Sequence, residues 1–208
     1  ITDEEKVAAR KGGISGFFVR TDTPGFSVPS VIPIMGHLGA DTGIVHLDQL
    51  RVPDRQRLGP LHNGLSVAMD GVNAGRLSMA GSCVGIARWA LNQALAYVKI
   101  RKTFGRLIAE HQAVQIMLAE CAMDIYAVKS MLRHCAWLID EGRSATKEVS
   151  MAKACATEMV SRVVDKAIQV HGAIGLTNEL RLEEAYRWAR VLRIPDGTAE
   201  IQRRTIAR

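Results

Sequence analysis

The spacing of apolar residues along the chain changes near residue 53. Before that point the apolar residues form short runs that turn-forming segments separate, and these runs span 14–20, 26–35 and 42–50. Short runs bounded by Gly, Pro, Asp and Ser are typical of β-strands. We therefore predict a β-rich region from Gly13 to about Val52.

The third of these runs also alternates with a period of two. Its members fall into two alternating sets, Ile44, His46 and Asp48 against Val45, Leu47 and Gln49. Alternate residues of a strand point to opposite faces, so the run predicts one solvent-facing and one buried face. A sheet edge or a small barrel fits this pattern.

Beyond Pro53 the apolar residues recur at helical spacing. Glycines at 142 and 172 follow two of the stripes, and Gly is the common residue just past a helix end. Thr198 precedes the last stripe and predicts its N-cap. The predicted helices span 63–100 (as one helix or two), 112–141, 146–171, 178–190 and 199–207.

Long helices joined by short loops predict an antiparallel bundle tens of ångströms long. The predicted fold class is α+β and mostly α. Part of a small β domain, residues 1–55, precedes a four-helix-bundle-type domain, residues 56–208. Since the chain begins with Ile inside the β region, we expect it to be part of a longer protein. Small residues at 79–85 allow close helix approach, which leaves subunit association and a tight monomeric core both open.

Composition narrows the class of protein. The chain is 48% hydrophobic and 23% charged, which is typical of a globular protein. The longest uncharged run, 23–40, contains three prolines, so we expect no membrane span. The four cysteines form no Cys-x-x-Cys pair and predict reduced core residues of an intracellular protein. The six histidines show no metal-binding spacing, so no metal site is expected.

The net charge of +6 suits a polyanion, whether a nucleotide cofactor, coenzyme A or nucleic acid. Aromatic residues make up only 5% of the chain, and no run of Lys and Arg exceeds two residues. An extended nucleic-acid groove usually needs more of both. We therefore do not expect nucleic acid as a partner.

Three segments carry candidate chemistry. Residues 101–112, Arg-Lys-Thr-Phe-Gly-Arg-Leu-Ile-Ala-Glu-His-Gln, combine cations, a hydroxyl and an aromatic that could hold an anionic, partly aromatic ligand. Residues 169–175, Gln-Val-His-Gly-Ala-Ile-Gly, place two glycines after a helix. In the last segment, Asp196 lies in a Pro-Asp-Gly loop between two helices, where a base could stand. Taken singly, these segments are more often a solvated linker, a helix cap and a surface turn.

Together and in this order, the three segments resemble the C-terminal half of the acyl-CoA dehydrogenase family. The resemblance covers the whole chain, including Gly36 and the strand that ends at Pro53. It implies a flavin enzyme with an N-terminal helical domain, a middle β domain and a C-terminal four-helix bundle, assembled as a homodimer or homotetramer. This chain would hold the end of the β domain and the whole bundle.

The resemblance also implies the site residues. Asp196 stands where most relatives have a Glu base, and Asn73, Arg76 and Gly197 are on the substrate side. Some of the cofactor residues would reach the FAD of a neighbouring subunit. The FAD-binding residues so implied are Arg101, Lys102, Thr103, Phe104, His111, Gln112, Gln169, Val170, His171, Gly172, Ala173, Thr198, Ala199 and Glu200.

The implied reaction is the α,β-dehydrogenation of an acyl-CoA thioester in fatty acid metabolism, with an acceptor such as electron-transfer flavoprotein. A branch of the family with Asp at the base position acts on longer or 4-hydroxyacyl-CoA substrates, and the segment 166–172 resembles that branch. The alternative base of other relatives would stand at Gly75 and is absent here. Two other interpretations stay open: a family member that binds FAD and nucleic acid without dehydrogenating, and a bundle that mainly drives assembly.

Overall fold

A computed structural model describes residues 1–36 and 39–208 and confirms the predicted fold class, mostly helical with small sheets. The helices of the described part are α1 (Glu4–Ala8), α2 (Gly64–Tyr97), α3 (Gln112–Asp140), α4 (Thr146–His171), α5 (Leu182–Val191) and α6 (Ala199–Ile206). Its strands are β1 (Gly16–Phe17), β2 (Phe26–Ile32), β3 (Thr42–Leu47), β4 (Arg57–Leu58), β5 (Lys102–Thr103) and β6 (Arg106–Leu107).

The predicted helices form with small differences at their ends. The stripe over 63–100 is one helix, α2. The fourth predicted helix begins at Leu182 rather than at 178, because Arg181 has φ +56°, which lies outside the right-handed helical region. The short helix α1, which the apolar pattern did not predict, is capped by the Asp3 carboxylate.

The strands pair as three antiparallel two-stranded sheets, β1 with β4, β2 with β3 and β5 with β6. The prediction that one face of the third run is buried is wrong, because every residue of β3 is exposed. In the described part of the chain β3 pairs only with β2, and a two-stranded ribbon has no second layer to cover a face. Of the predicted turn over 36–41, His37 and Leu38 lie outside the described residues.

Two compact units can be distinguished among the described residues. The first contains residues 1–34 and 39–74, and the second contains residues 35–36 and 75–208. The division into domains at 55/56 stays a prediction. Within the second unit, Gly36 packs against the backbone of Arg187 on α5, so closely that a methyl group on Gly36 would lie 2.5 Å from a backbone carbon.

The core of the second unit forms among α2, α3, α4 and α5. Four fully buried alanines line α2 at positions 80, 87, 90 and 94, together with Cys83. This stripe packs in one cluster with larger buried residues of α4, among them Met159 and Val163. Small side chains on one helix leave room for large ones on the other, so the two can approach closely.

The four cysteines are free thiols, as predicted. Three of them, Cys83, Cys121 and Cys135, are buried. The prediction that all four are core residues is wrong for Cys155, which is exposed. The helical period places Cys155 on the same face of α4 as Arg162, outside the buried stripe.

Candidate functional site

The candidate catalytic loop connects α5 and α6 through Pro195, Asp196 and Gly197. Asp196 has φ +55° and Gly197 has φ +96°, so two consecutive residues adopt left-handed backbone conformations. Residues other than Gly seldom adopt this region, although Asp and Asn enter it more readily than most. Thr198 caps α6 as predicted, because its side chain accepts a hydrogen bond from Ile201 N at 3.4 Å.

Three buried side chains hold the two carbonyl groups of this loop. Arg76 Nε donates to the Asp196 carbonyl at 2.8 Å. Gln202 Nε2 contacts both the Asp196 and the Gly197 carbonyl at 3.0 Å. Lys153 Nζ donates to the Gly197 carbonyl at 2.8 Å. Arg76 is 5% exposed, and Lys153 and Gln202 are 0% exposed, so water hardly competes for these bonds.

The carboxylate of Asp196 faces α2. A methyl group on Gly75 would lie 3.2 Å from Asp196 Oδ2, which is closer than ordinary van der Waals contact. The side chain of Asp196 is thus half-buried rather than turned wholly to solvent. The missing side chain at position 75 leaves the room that the carboxylate occupies.

Burial and hydrogen bonding shift the pKa values of several groups near the loop. Burial lowers the pKa of Lys153 below its usual 10.5, and the nearby carboxylate of Asp196 partly offsets this effect. Burial also raises the pKa of the Cys83 thiol to about 12, so that this neighbour of Lys153 is a neutral thiol. Hydrogen bonds from its own backbone N–H and from the Thr198 hydroxyl lower the pKa of Glu200. The loop therefore carries the carboxylate of Asp196 and lies beside the cations Arg76 and Lys153 and the carboxylate of Glu200.

Sequence reasoning identified Arg76, Asp196 and Gly197, and the structure brings these three together. It missed Lys153 and Gln202. A signal for Lys153 was present, because Lys153 falls on the buried stripe of α4 at helical spacing from Val149. A Lys inside an apolar stripe is rarely buried without a partner.

The second candidate segment forms a hairpin of β5 and β6 that leads into α3. The His111 ring links its two strands: Nε2 lies 3.2 Å from Thr103 Oγ1, and Nδ1 lies 3.1 Å from an Arg106 guanidinium nitrogen. Since Arg has no acceptor, we assign Nδ1 as the acceptor and Nε2–H as the donor. Phe104, at φ +51°, is 95% exposed at the tip.

The third candidate segment is the C-terminal end of α4 and the 3₁₀ turn after it. The His171 ring is 5% exposed and stacks on Tyr97 with the ring centroids 4.5 Å apart. Its Nδ1 lies 2.7 Å from the Ala167 carbonyl. The His171 ring is therefore part of the core, whereas Gln169, Gly172 and Ala173 are exposed and Val170 is half-buried.

Tyr97 brings two of the candidate segments together. Its ring packs against His171, and its carbonyl accepts from the Arg101 backbone N–H at 3.0 Å. The hairpin, including exposed Arg101 and Lys102, therefore lies beside the 169–173 segment at one end of α4.

The third segment is distant from the loop. Lys153, which contacts the loop, lies eighteen residues before His171 on α4. At about 1.5 Å per residue this corresponds to about 27 Å along the helix. The predicted cofactor residues therefore form two separate groups within the second unit, one at 101–112 and 169–173 and the other at 198–200. Of the remaining predictions, Gln112 is exposed at the start of α3, and Asn73 belongs to the first unit and stays a prediction.

Two cavities of the second unit are lined by other residues. One, of about 450 Å³, lies on α2 beside Trp89, and the other, of about 410 Å³, lies beside Tyr186 and three arginines. Asp196 lines neither. Within residues 1–36 and 39–208, no helix is long and apolar enough to cross a membrane. The same residues bring no three His, Cys, Asp or Glu side chains together as metal ligands.

Comparisons with known proteins point to one family. Residues 62–208 match the family described as acyl-CoA dehydrogenase, C-terminal domain. A Bacillus subtilis protein named as a probable acyl-CoA dehydrogenase is 42% identical over 198 residues, which are 95% of this chain and 52% of that protein. Subunit CarC of the caffeyl-CoA reductase-Etf complex of Acetobacterium woodii is 38% identical over 195 residues, 94% of this chain and 52% of that protein. The solved structure of PigA with FAD and proline has a TM-score of 0.90 at 27% identity and covers 94% of this chain and 51% of the PigA chain.

This chain spans about half the length of the curated relatives it matches. The family match nevertheless takes in most of it, from residue 62 to the end, and includes all three candidate segments. The chain belongs to the acyl-CoA dehydrogenase family, of which it contains the C-terminal domain.

Proposed function

We propose that this chain is the C-terminal part of an FAD-dependent acyl-CoA dehydrogenase in which Asp196 is the catalytic base. The observation that carries the proposal is the loop of Asp196, where three buried donors hold two consecutive carbonyls and a half-buried carboxylate faces a glycine. Family membership supports the reaction class, an oxidation that acts on a CH–CH bond.

The task of Asp196 is to remove the α-proton of an acyl-CoA thioester. That proton is weakly acidic, so the base must stand in a fixed position against it. Side-chain donors from α2, α4 and α6 fix the backbone of the loop, which leaves the carboxylate with few orientations. Partial burial keeps the Asp196 carboxylate away from most of the water that would otherwise solvate it.

The residues present fit FAD. Exposed Arg101 and Lys102 could neutralise its phosphates, and Phe104 offers an exposed aromatic face beside the His111 ring. Thr198 and the ionised Glu200 lie at the start of α6, where a carboxylate suits ribose hydroxyls better than phosphate. When bound, FAD supplies the acceptor for the β-hydrogen, which leaves as hydride.

The distance between the two groups of cofactor residues supports a homo-oligomer. The groups lie about 27 Å apart along α4, so we propose that they serve the cofactors of different subunits. This places the 101–112 and 169–173 segments near a neighbour's FAD, in a homodimer or homotetramer.

The direction of the reaction can be either oxidation or reduction. The relative from Acetobacterium woodii is named as part of a reductase–Etf complex. Microscopic reversibility lets the protonated form of Asp196 return the proton to the α-carbon of an enoyl thioester. We propose an electron-transfer flavoprotein as the redox partner and an acyl-CoA or enoyl-CoA as the substrate.

The proposed substrate class rests on the Asp at the base position. Asp is one methylene shorter than the Glu of most relatives, about 1.5 Å by C–C bond length. Gly75 lets the Asp196 carboxylate lie against α2, and Pro195 restricts the loop beside it. We propose a longer acyl-CoA as the substrate, with 4-hydroxyacyl-CoA as a second candidate, because the family branch that this chain resembles at the base position acts on such thioesters.

The test uses the full-length, flavin-loaded protein and a panel of acyl-CoAs, with bleaching of the flavin band followed by stopped flow. Asp196→Asn keeps the shape and the tolerance of left-handed φ but cannot accept the proton. We expect one class of acyl-CoA to bleach wild type, and the rate to fall at least about 10³-fold in Asp196→Asn. Asp140→Asn, at the exposed end of α3, is the matched control.

Full bleaching activity of Asp196→Asn would contradict the role of the base. If no acyl-CoA bleaches wild type and the protein instead retains DNA in a salt-dependent manner, the interpretation as an FAD- and nucleic-acid-binding member replaces this proposal.

A further inference from the structure

We propose that Lys153 is the positioning residue of the catalytic loop: its buried ammonium group fixes the Gly197 carbonyl and thereby the direction of the Asp196 carboxylate. This inference rests on the proposed role of Asp196 as the base. It goes further because Lys153 lies on α4, outside the segments that carry the family resemblance, and contacts the loop across 44 positions of sequence.

Burial of Lys153 needs a compensating interaction. The residue is 0% exposed in the middle of the buried stripe of α4, which is mostly apolar apart from Ser150 and Thr157. Burial of an ammonium group is costly unless it is paired and hydrogen-bonded, so a Lys here needs a compensating interaction. The compensation is the 2.8 Å bond to the Gly197 carbonyl and the negative charge of nearby Asp196.

Without Lys153 the backbone of the loop would have more conformational freedom. Gly197, at φ +96°, has no Cβ, so the peptide that follows it can rotate to several orientations. Rotation of that peptide would turn the Gly197 carbonyl away and change the backbone that carries Asp196. Lys153 anchors this carbonyl from α4, the most deeply buried helix of the second unit.

Each of the two carbonyls of the loop has one cationic donor of its own. Arg76 anchors the Asp196 carbonyl from α2, and Lys153 anchors the Gly197 carbonyl from α4. Gln202 contacts both carbonyls from α6. Loss of Lys153 alone therefore leaves the first peptide with both of its donors and the second with Gln202 only, so the expected defect is local.

Among the described residues, four charged or titratable groups surround the ammonium group of Lys153. From the elements packed against it, Asp196, Arg76, Cys83 and Glu200 act on its ammonium group. Asp196 and Glu200 favour the charged form and Arg76 disfavours it, while the Cys83 thiol carries no charge at neutral pH. Substitutions of Lys153 that differ in charge and in side-chain length therefore show which of the two properties the loop requires.

The experiment compares three substitutions in the full-length, flavin-loaded protein. Lys153→Met removes charge and donor, Lys153→Gln removes charge and is one atom shorter, and Lys153→Arg keeps both charge and reach. The control is Lys147→Met, an exposed Lys on the same helix. The readouts are amide hydrogen exchange of the 195–202 segment, acyl-CoA affinity, flavin content and the rate of flavin bleaching.

We expect Lys153→Met to accelerate amide exchange in 195–202 and to slow bleaching about 10²-fold, the effect of a misplaced group. Acyl-CoA affinity and flavin content should stay within about threefold, because a positioning defect acts on the chemical step rather than on binding. Lys153→Gln should give an intermediate loss, and Lys153→Arg should recover most of the rate.

The proposal is overturned if Lys153→Met shows wild-type rates both of amide exchange in 195–202 and of flavin bleaching. If Lys153→Met does not fold, the same result in Lys153→Gln overturns it. Failure of the base hypothesis gives a different pattern, namely full bleaching by Asp196→Asn, while amide exchange of 195–202 still reports whether Lys153 holds the loop.

Discussion

The carboxylate of Asp196 lies against Gly75 of α2, where a methyl group would come within 3.2 Å of Asp196 Oδ2. A glycine in the interior of a 34-residue helix normally costs stability relative to alanine. Its position opposite the proposed base indicates that the glycine leaves room for the Asp196 carboxylate, at a cost to the stability of the helix.

Substitution of Gly75 by Ala should therefore separate stability from activity. Ala favours the helix by up to about 1 kcal/mol, while its methyl group displaces the Asp196 carboxylate. We expect an unchanged or higher melting temperature and a roughly tenfold slower bleaching of flavin by acyl-CoA, since displaced catalytic groups lose rate steeply. Gly81→Ala, where nothing lies within 4 Å of the new methyl, is the control and should keep full activity.

Flavin retention should depend on the exposed cations of the β5–β6 hairpin. Arg101→Ala and Lys102→Ala each remove one charge that we propose to face a phosphate, so FAD affinity should fall about tenfold for each. The loss should shrink at high salt, because salt screens the wild-type interaction. The measurement is the flavin-to-protein absorbance ratio after dialysis, with exposed Lys99→Ala as the control. An equal fall in FAD affinity in Lys99→Ala would show that the cations act through the overall charge of the region and not through contacts with the phosphates.

The cysteines should differ sharply in reactivity. Cys83 is fully buried and burial raises its pKa to about 12, so almost no thiolate exists there at neutral pH. Cys155 is the exposed one of the four. We expect iodoacetamide to label Cys155 first in the folded protein and Cys83 only on unfolding, as mass spectrometry of peptides can show. Rapid labelling of a Cys155→Ser variant would contradict the burial of the other three.

Stability should depend on pH through Lys153. Because burial lowers the pKa of Lys153 in the folded state, the unfolded state binds more protons between that lowered value and 10.5. The cost of burying the charge is fully present below the lowered pKa and disappears as pH rises toward 10.5. The melting temperature of wild type relative to Lys153→Met should therefore rise with pH over this interval. A constant difference from pH 7 to pH 10.5 would show that Lys153 is not desolvated.

Much of the helical part of this protein was predictable because its determinants are local. The apolar stripes repeat every three to four residues, and glycines at 142 and 172 end two of the helices with positive φ. Thr198 caps the last helix with its own side chain. Each of these features depends on residues within a few positions of one another.

The burial of the β region was not predictable in the same way. The alternation in β3 indicates a strand, but it cannot say whether another layer covers either face. In the described structure both faces are exposed. The same limit applies to Cys155, whose apolar neighbours suggested the core while its position on α4 put it outside.

For the site, the sequence by itself determined the family, the helices and the position of Asp196 in its loop, because ordered motifs and short-range periodicity are written along the chain. Only the tertiary structure decided that Lys153, Arg76 and Gln202 meet at that loop. The physical reason is that a hydrogen bond between α4 and the loop depends on how helices pack, and the packing brings together residues that are 44 and 120 positions apart in the chain.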